Sequence, residues 1–458
     1  MRAVATFLIA LAFAVGCATT PSQAPRQPMP PIAQPQPPAQ PGAAIFTLQP
    51  ARFADLPGFA SADLAPTLAA FRRSCAAIAR APDDRPLGRL APYGGTVGQW
   101  REVCAEAAVA TDARAFFTSQ FDVFSVAARA DQMRRLTGYY EPVLQARRQP
   151  DAVFSEPFLA RPDDLVGIDL SQFDEATNLS ETLAEDVMRT VGQGLSPEES
   201  ARVQAALDER LERRFQTPLW GRLTYDRRIV PYAPRAELDR SRGVLGYGRP
   251  CDVYDAQVQG STRVQFDDGA SMRMAYAAQN GYRWQSLYPQ LRDRGARAAN
   301  KAAVCEFLGA QPPAAIPGLM AMDPSYVFFT LETVADPTGG PRGAQGVALT
   351  AQGSMAVDPG AHPYGAVLFV ATDDGGFMRL MVAQDTGGAI RRGPLRGDVF
   401  FGTGDAAGAA AERMNAPARF WTLLPKGMAT DRVADGGAIL TAQTTPVPAT
   451  VLMQAGKP

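Results

Sequence analysis

Residues Gly365–Gly404 read "GAVLFVATDDGGFMRLMVAQDTGGAIRRGPLRGDVFFGTG". Three short apolar runs, "GAVLFVAT", "MRLMVAQD" and "DVFFG", are separated here by glycine-bearing turns. With "YVFFTLE" from Tyr326 ahead of them and "RFWTLLP" behind, they form short strands in quick succession, which points to a small barrel or sandwich rather than a doubly wound sheet. The same stretch holds Asp385 and Asp398, and Asp358 lies upstream in "AVDPGAHPYG", each at the edge of a strand candidate with glycine nearby. In a compact barrel, strand-end residues far apart in the chain can converge on one cleft. "GDVFFG" sets Asp398 beside Val399, Phe400 and Phe401, apolar neighbours that disfavour the charged form and keep a carboxyl protonated as a general acid requires. Spacing alone leaves open the alternative that the aspartates bind backbone N–H groups in turns.

Upstream the character changes. From about Ile45 to Ala130 the chain reads as helical: Leu68, Phe71, Cys75 and Ile78 repeat at helical spacing, as do Trp100, Val103 and Ala107, and a third run is built on Phe117, Phe121 and Phe124. At "RLTGYYEPVLQARR" alternating and β-branched segments take over, interrupted by "GLSPEESARVQAALDERLERRF". There Ser196 caps a helix, Pro197 takes its first position and Glu199 closes a capping box. After Lys426 periodicity is lost, and the tail 427–458 is expected to be disordered.

The N-terminus, "MRAVATFLIALAFAVGCATT", is a secretion signal, too short and too abruptly ended for an ordinary spanning helix. Its "AVGC" ending resembles a bacterial lipoprotein signal in which Cys17 is lipidated; a conventionally cleaved signal is the alternative. Ala18 is not the aspartate that retains such lipoproteins in the inner membrane, so the periplasmic face of the outer membrane of a Gram-negative bacterium is expected. Residues 18–44, rich in Pro, Gln and Ala, read as an extended tether. The other four cysteines allow two disulfides in three connectivities. Neighbouring helices favour Cys75 with Cys104, leaving Cys251 with Cys305; buried free thiols are the alternative.

Composition excludes several chemistries. Lys and Arg total 45 against 46 Asp and Glu, so no global positive charge is present to hold a phosphate backbone, and nucleic acid is not expected. One histidine, His362, and no nucleophile-elbow pattern argue against a Ser-His-Asp mechanism, and no Cys/His spacing suggests zinc. Neither a P-loop nor a strand-to-helix GxGxxG occurs. "DTG" resembles the aspartic-protease triplet but stands alone, whereas that chemistry needs two. Carboxylate chemistry outside the cytoplasm remains.

Between about residues 136 and 404, the stretches "LTGYYEPVLQAR", "LTYDRRIVPYAPRAEL", "DVYDAQVQGSTRVQFDDG", "MAYAAQNGYRW", "MDPSYVFFTLE", "GGPRGAQGVALTAQGSMAVDPGAHPYGAVLFVA" and "QDTGGAIRRGPLRGDVFFGTG" follow one another in an order that resembles the membrane-bound lytic murein transglycosylase A family. The resemblance implies a mainly β protein with N-terminal helices (α+β). A double-psi β-barrel catalytic domain, the three-aspartate domain, would span 323–426 and join a helical part at 45–142. A second, β-rich domain would be inserted at 143–322, with a groove between the two.

It implies a lytic exotransglycosylase that cleaves the β-1,4 bond between N-acetylmuramic acid and N-acetylglucosamine of peptidoglycan without water, leaving 1,6-anhydromuramyl ends. No cofactor and no metal is implied. Peptidoglycan glycan strands, the membrane through the lipid, and cell-wall synthesis or division proteins are the implied partners. By motif the acid/base position falls on Asp398, with Asp385 and Asp358 as supporting carboxylates. Tyr139 and Tyr140 are candidates to stack on sugar rings, Gln279 and Asn280 to hydrogen-bond acetamido or hydroxyl groups, and Gly387 and Gly388 to admit the glycan. Glu141 is the rival acid, or a brace for the turn at Pro142. Trp284, the helical insert around 181–214 and the spacer "RRGPLRG" depart from the family pattern. A non-catalytic peptidoglycan-binding lipoprotein and a hydrolase on the same barrel are the competing readings.

Overall fold

The computed structural model describes residues 46–428 apart from 89–90, 92, 129–132, 178, 192–194, 201–202, 205–206, 208–217, 335 and 391–392, together with 439–440. Cys17, the tether 18–44 and most of the tail lie outside the described residues.

Ten strands share one sheet: β1 (Phe46–Ala51), β2 (Phe121–Ala128), β3 (Arg135–Glu141), β4 (Ser354–Val357), β5 (Val367–Thr372), β6 (Met378–Asp385), β7 (Arg396–Thr403), β8 (Asn415–Ala416), β9 (Ala418–Pro425) and β10 (Ile439–Leu440). Their spatial order is β8-β3-β7-β4-β6-β5-β9-β2-β1-β10. Parallel and antiparallel neighbours are mixed. The central β4 runs parallel to β6 and antiparallel to β7, and β7 is parallel to β3. Because β4, β5, β6 and β9 are covered on both faces, they read as nearly continuous apolar runs rather than alternating ones.

Helix Ala65–Ile78 lies against this sheet. Pro66 suits its first turn, and it buries Leu68, Phe71, Cys75 and Ile78, the face read from the sequence. Phe71 centres an aromatic cluster with Trp100, Phe116, Phe117 and Phe121, at centroid separations of 5.7 to 6.3 Å. Helix Gly98–Val109 packs beside it, and Cys75 is bonded to Cys104 with their Cα atoms 5.3 Å apart. Helix and sheet are pinned by polar contacts as well: Gln384 Nε2 of β6 donates to Ala70 O at 2.8 Å and Ser74 Oγ at 2.7 Å.

Two expectations are corrected here. The third amphipathic run is helical only over Ala113–Gln120, capped by Asp112; Phe121 and Phe124 lie on β2. Residues 121–128 fill the slot between β1 and β9, so ladder bonds on both edges, with Val123 buried on one face and Phe124 and Val126 on the other, override the helical spacing of the phenylalanines. The N-terminal part at 45–142 therefore supplies three strands, β1, β2 and β3, besides its helices. Within the tail, Ile439 and Leu440 pair with β1 instead of lacking structure.

The chain between β3 and β4 builds further sheets. Val327–Thr333, Ser271–Gln279, Thr262–Phe266 and Val143–Ala146 lie side by side in that order. One face, with Leu144, Val264, Phe266, Met274 and Phe329, shares a core with Val253 and Ala256 of helix Pro250–Gln259. The opposite face carries Gln145, Arg263, Gln265 and Arg273, as the period of two dictates. Smaller sheets join Glu156–Leu159 to Val244–Gly248, and Leu165–Ile168 to Leu219–Leu223 and Ile229–Val230. Cys251 and Cys305 are bonded, tying helix Pro250–Gln259 to helix Lys301–Gly309. The capping box read at Ser196 is present: Ser196 N donates to Glu199 Oε2 at 2.9 Å and Glu199 N to Ser196 Oγ at 3.3 Å.

Candidate active site

Register sets the site. Residues opposed in a sheet point to one face, and Ala356 of β4 is opposed to Asp398 on β7 and to Asp385 on β6, while Asp398 is opposed to Thr137 on β3. Asp385, Ala356, Asp398 and Thr137 thus form one row across four strands. A bulge makes this possible. Met355 faces Ala383 but Ala356 faces Asp385, so Gln384 is the extra residue, and without it the aspartate would fall out of the row. Gln384 Nε2, bound to Ala70 O and Ser74 Oγ, anchors that extra residue.

Asp398 is half-buried, and loss of water around its carboxyl lifts its pKa to about 6; the negative charge of Asp385 acts in the same direction. A hydrogen bond from Thr137 Oγ1 to Oδ1 at 2.6 Å, and the charge of Arg396, restrain the rise. Arg396 Nη2 in turn donates to Thr137 Oγ1 at 2.8 Å, so the threonine hydroxyl is oriented towards the carboxylate. Near neutrality this carboxyl can both give and take a proton.

Asp385 is gripped at both oxygens. Tyr139 Oη donates to Oδ2 at 2.8 Å, and the backbone N–H of Ala344 donates to Oδ1 at 2.9 Å. Burial, with the charges of Asp385 and Asp398, holds the Tyr139 phenol well above its ordinary pKa, so it remains a neutral donor. Its ring leans on Phe400, 5.3 Å between centroids, and its hydroxyl serves a carboxylate. Asp358 is more deeply buried and accepts from Gly360 N at 3.0 Å and Gly393 N at 2.8 Å. It pins the loop that links Asp385 to Asp398, which is the turn-binding role that spacing alone left open.

The remaining sequence candidates are placed elsewhere. Tyr140, on the opposite face of β3 from Tyr139, is buried against Asp255 and Lys301, its hydroxyl 3.0 and 2.7 Å from them. Glu141 is fully buried between Arg263, Arg273 and Thr403 and has no open face for a sugar. Asn280 is enclosed, with its amide on Ala233 O and Pro324 O and its oxygen taking Tyr326 N; Gln279 beside it is half-buried. Gly387 and Gly388 border open space: a Cβ at 388 would meet nothing within 4 Å and at 387 only Ile390, at 3.6 Å. His362 is buried and neutral, its pKa lowered to about 4 by burial, with Nε2 donating to Pro394 O and Nδ1 accepting from Tyr93 Oη.

Sequence reasoning missed Thr137, Arg396 and Ala344. Thr137 was within reach, because it stands two residues from Tyr139 and therefore on the same strand face. The contribution of Ala344 is a backbone N–H and left no signal in the side chains.

Residues 353–424 match the family model described as "3D domain", and residues 135–193 and 194–330 match "MltA specific insert domain". Membrane-bound lytic murein transglycosylase A of Escherichia coli K12 is 31% identical over 194 residues, covering 39% of this chain. The alignment spans 52%, about half, of that curated relative. A membrane-bound lytic murein transglycosylase from Agrobacterium tumefaciens superposes with a TM-score of 0.62 at 27% identity, over 83% of this chain and 98% of that one. MltA from Neisseria gonorrhoeae does so with a TM-score of 0.62 at 25% identity, over 84% and 96%. The chain belongs to the membrane-bound lytic murein transglycosylase A family.

Proposed function

We propose that the protein is a lytic transglycosylase that cleaves the β-1,4 bond between N-acetylmuramic acid and N-acetylglucosamine of peptidoglycan. Asp398 protonates the glycosidic oxygen as the C1–O bond breaks. The resulting carboxylate then takes the proton of the muramyl O6 as that oxygen bonds to C1, which closes the 1,6-anhydro ring and restores the acid. No water is consumed, so one carboxyl suffices where a hydrolase uses two. The observation that carries this reading is the Asp398 carboxyl itself, with a pKa near 6 and in one row with an ionisable partner that is held at both oxygens. Asp385 is the supporting carboxylate: its negative charge favours the protonated form of Asp398 and the positive charge that develops at C1. Family membership supports the substrate class. Cys17 is the proposed lipid attachment point, and the periplasmic face of the outer membrane the proposed location.

Mass spectrometry of digested sacculi tests this. Anhydromuropeptides are expected from the wild type, and from Asp398→Asn about 10²- to 10⁴-fold less, with an unchanged circular dichroism spectrum. Reducing-end products would indicate a hydrolase, absence of release a binding protein, and near-normal activity of Asp398→Asn a misplaced acid.

A further inference from the structure

Glu141 lies outside the proposed chemistry, yet the groups around it reach Asp385. Its Oε1 accepts from Arg273 Nε at 2.5 Å, and its Oε2 from Arg263 Nε at 2.9 Å, Thr403 Oγ1 at 2.9 Å and Arg273 Nη2 at 3.3 Å. Two guanidinium groups around one carboxylate have donors to spare, and these point at the chain that leads into β4. Arg263 Nη1 donates to Pro337 O at 2.8 Å and Nη2 to Gly339 O at 2.9 Å, and Arg273 Nη2 donates to the same Gly339 O at 2.9 Å.

Beyond Gly339 this strap is pressed onto the strands of the site. A Cβ on Gly340 would lie 2.6 Å from the Phe400 ring, and one on Gly343 would lie 2.5 Å from Gln384 O and 3.3 Å from Asp385 Cβ. Gln345 N donates to Gln384 O at 3.0 Å, and Ala344 N to Asp385 Oδ1 at 2.9 Å. One continuous path therefore runs from the polar face of the four-stranded sheet, through 337–344, to the supporting carboxylate.

We propose that Arg263 and Arg273, fastened by Glu141, are positioning residues for the reaction: they hold the 337–344 strap taut so that Ala344 fixes Asp385 in the row with Asp398. This rests on the reading of Asp398 as acid and base. Asp385 accepts from Tyr139 of β3 on one side and from Ala344 of the strap on the other, and slackening the strap removes the second of these bonds. The groups facing Asp398 are Asp385 from β6, Thr137 and Tyr139 from β3, and Arg396 from its own strand. When Asp385 recedes, Asp398 loses the negative charge that favours its proton while Thr137 and Arg396 stay. Its pKa falls, and the alkaline limb of kcat/KM moves to lower pH.

Arg273→Lys keeps the charge but cannot serve Glu141 and Gly339 with one planar fork. In a soluble murein assay its kcat is expected to fall about tenfold or more with KM within about twofold, because misplacement acts on the chemical step rather than on binding. The alkaline limb shifts to lower pH. Gly343→Ala, which lifts the strap directly while leaving the arginine cluster intact, is expected to reproduce the same split and shift. Thr403→Val removes a donor to Glu141 that touches no strap residue and leaves the limb in place. The proposal is overturned if Arg273→Lys and Gly343→Ala keep the wild-type kcat and limb, or if their activity falls only in proportion to a lower Tm with the limb unmoved. A wild type that releases no anhydromuropeptides would instead sink the underlying functional reading.

Discussion

The raised pKa of Asp398 comes at the expense of stability above the ordinary carboxylate range. Its carboxyl titrates near 6 in the folded protein and near 3.8 as a free side chain. Between those values the native state binds a proton that the unfolded chain has released, so stability is greatest below the lower value and declines as pH rises through that window. Asp398→Asn is expected to be the more stable protein at about pH 7.5, by roughly 2 kcal/mol, and to lose that advantage near about pH 4. Urea denaturation of both proteins at the two pH values measures it. Thr137 works in the opposite sense to burial, since its hydroxyl stabilises the carboxylate. Thr137→Val should move the alkaline limb of kcat/KM to higher pH, and Thr137→Ser, which keeps the donor, should leave it in place; a shift to lower pH would show that Arg396 has moved onto the carboxylate instead.

Among the elements, the bulge on β6 matters more than any strand taken whole. It brings Asp385 into line with Asp398, and it is held by the contact of Gln384 with helix Ala65–Ile78. That helix approaches the start of β4 so closely that a Cβ on Gly353 would lie 2.3 Å from Pro66 O. Backbone cannot yield as a flexible side chain can. Gly353→Ala is expected to cost about 1 to 3 kcal/mol by overpacking, read as a lower Cm at constant m. An unchanged Cm would mean that helix and sheet can separate without penalty. At this scale the sequence was legible where burial is one-sided and periodic, as in Leu68, Phe71, Cys75 and Ile78. It misled at Phe121 and Phe124, because the two neighbouring strands that claim those residues are remote in the chain.

For the whole molecule, the segment between β3 and β4 is joined to the ten-stranded sheet through buried charge as well as through the chain. Glu141, Arg263 and Arg273 satisfy one another and the strap, so removing the carboxylate alone leaves two guanidinium groups with no counter-charge; Glu141→Gln is expected to lose about 3 to 5 kcal/mol. Disulfides add restraint at two other places. Cys251–Cys305 spans 54 residues and Cys75–Cys104 spans 29. Replacing Cys251 and Cys305 by Ala should lower stability by about 3 to 4 kcal/mol in denaturant titrations. A thiol assay of the unreduced protein should find none of these four cysteines free.

What the sequence determined alone was local or compositional. Strand and helix periods, the capping box at Ser196, the two aspartates flanking a glycine-rich turn and the scarcity of histidine all follow from residues near one another or from counts. A carboxyl set among apolar residues is likewise legible in "GDVFFG". Only the tertiary structure decided which of the adjacent residues Thr137, Tyr139, Tyr140 and Glu141 serve the site. A strand alternates its faces, and what each face meets is supplied by segments more than a hundred residues away: Asp398 and Asp385 on one side, Asp255 on the other, Arg263 and Arg273 at the end. The roles of side chains depend on those partners, and the partners are a product of packing rather than of the order of residues in the strand.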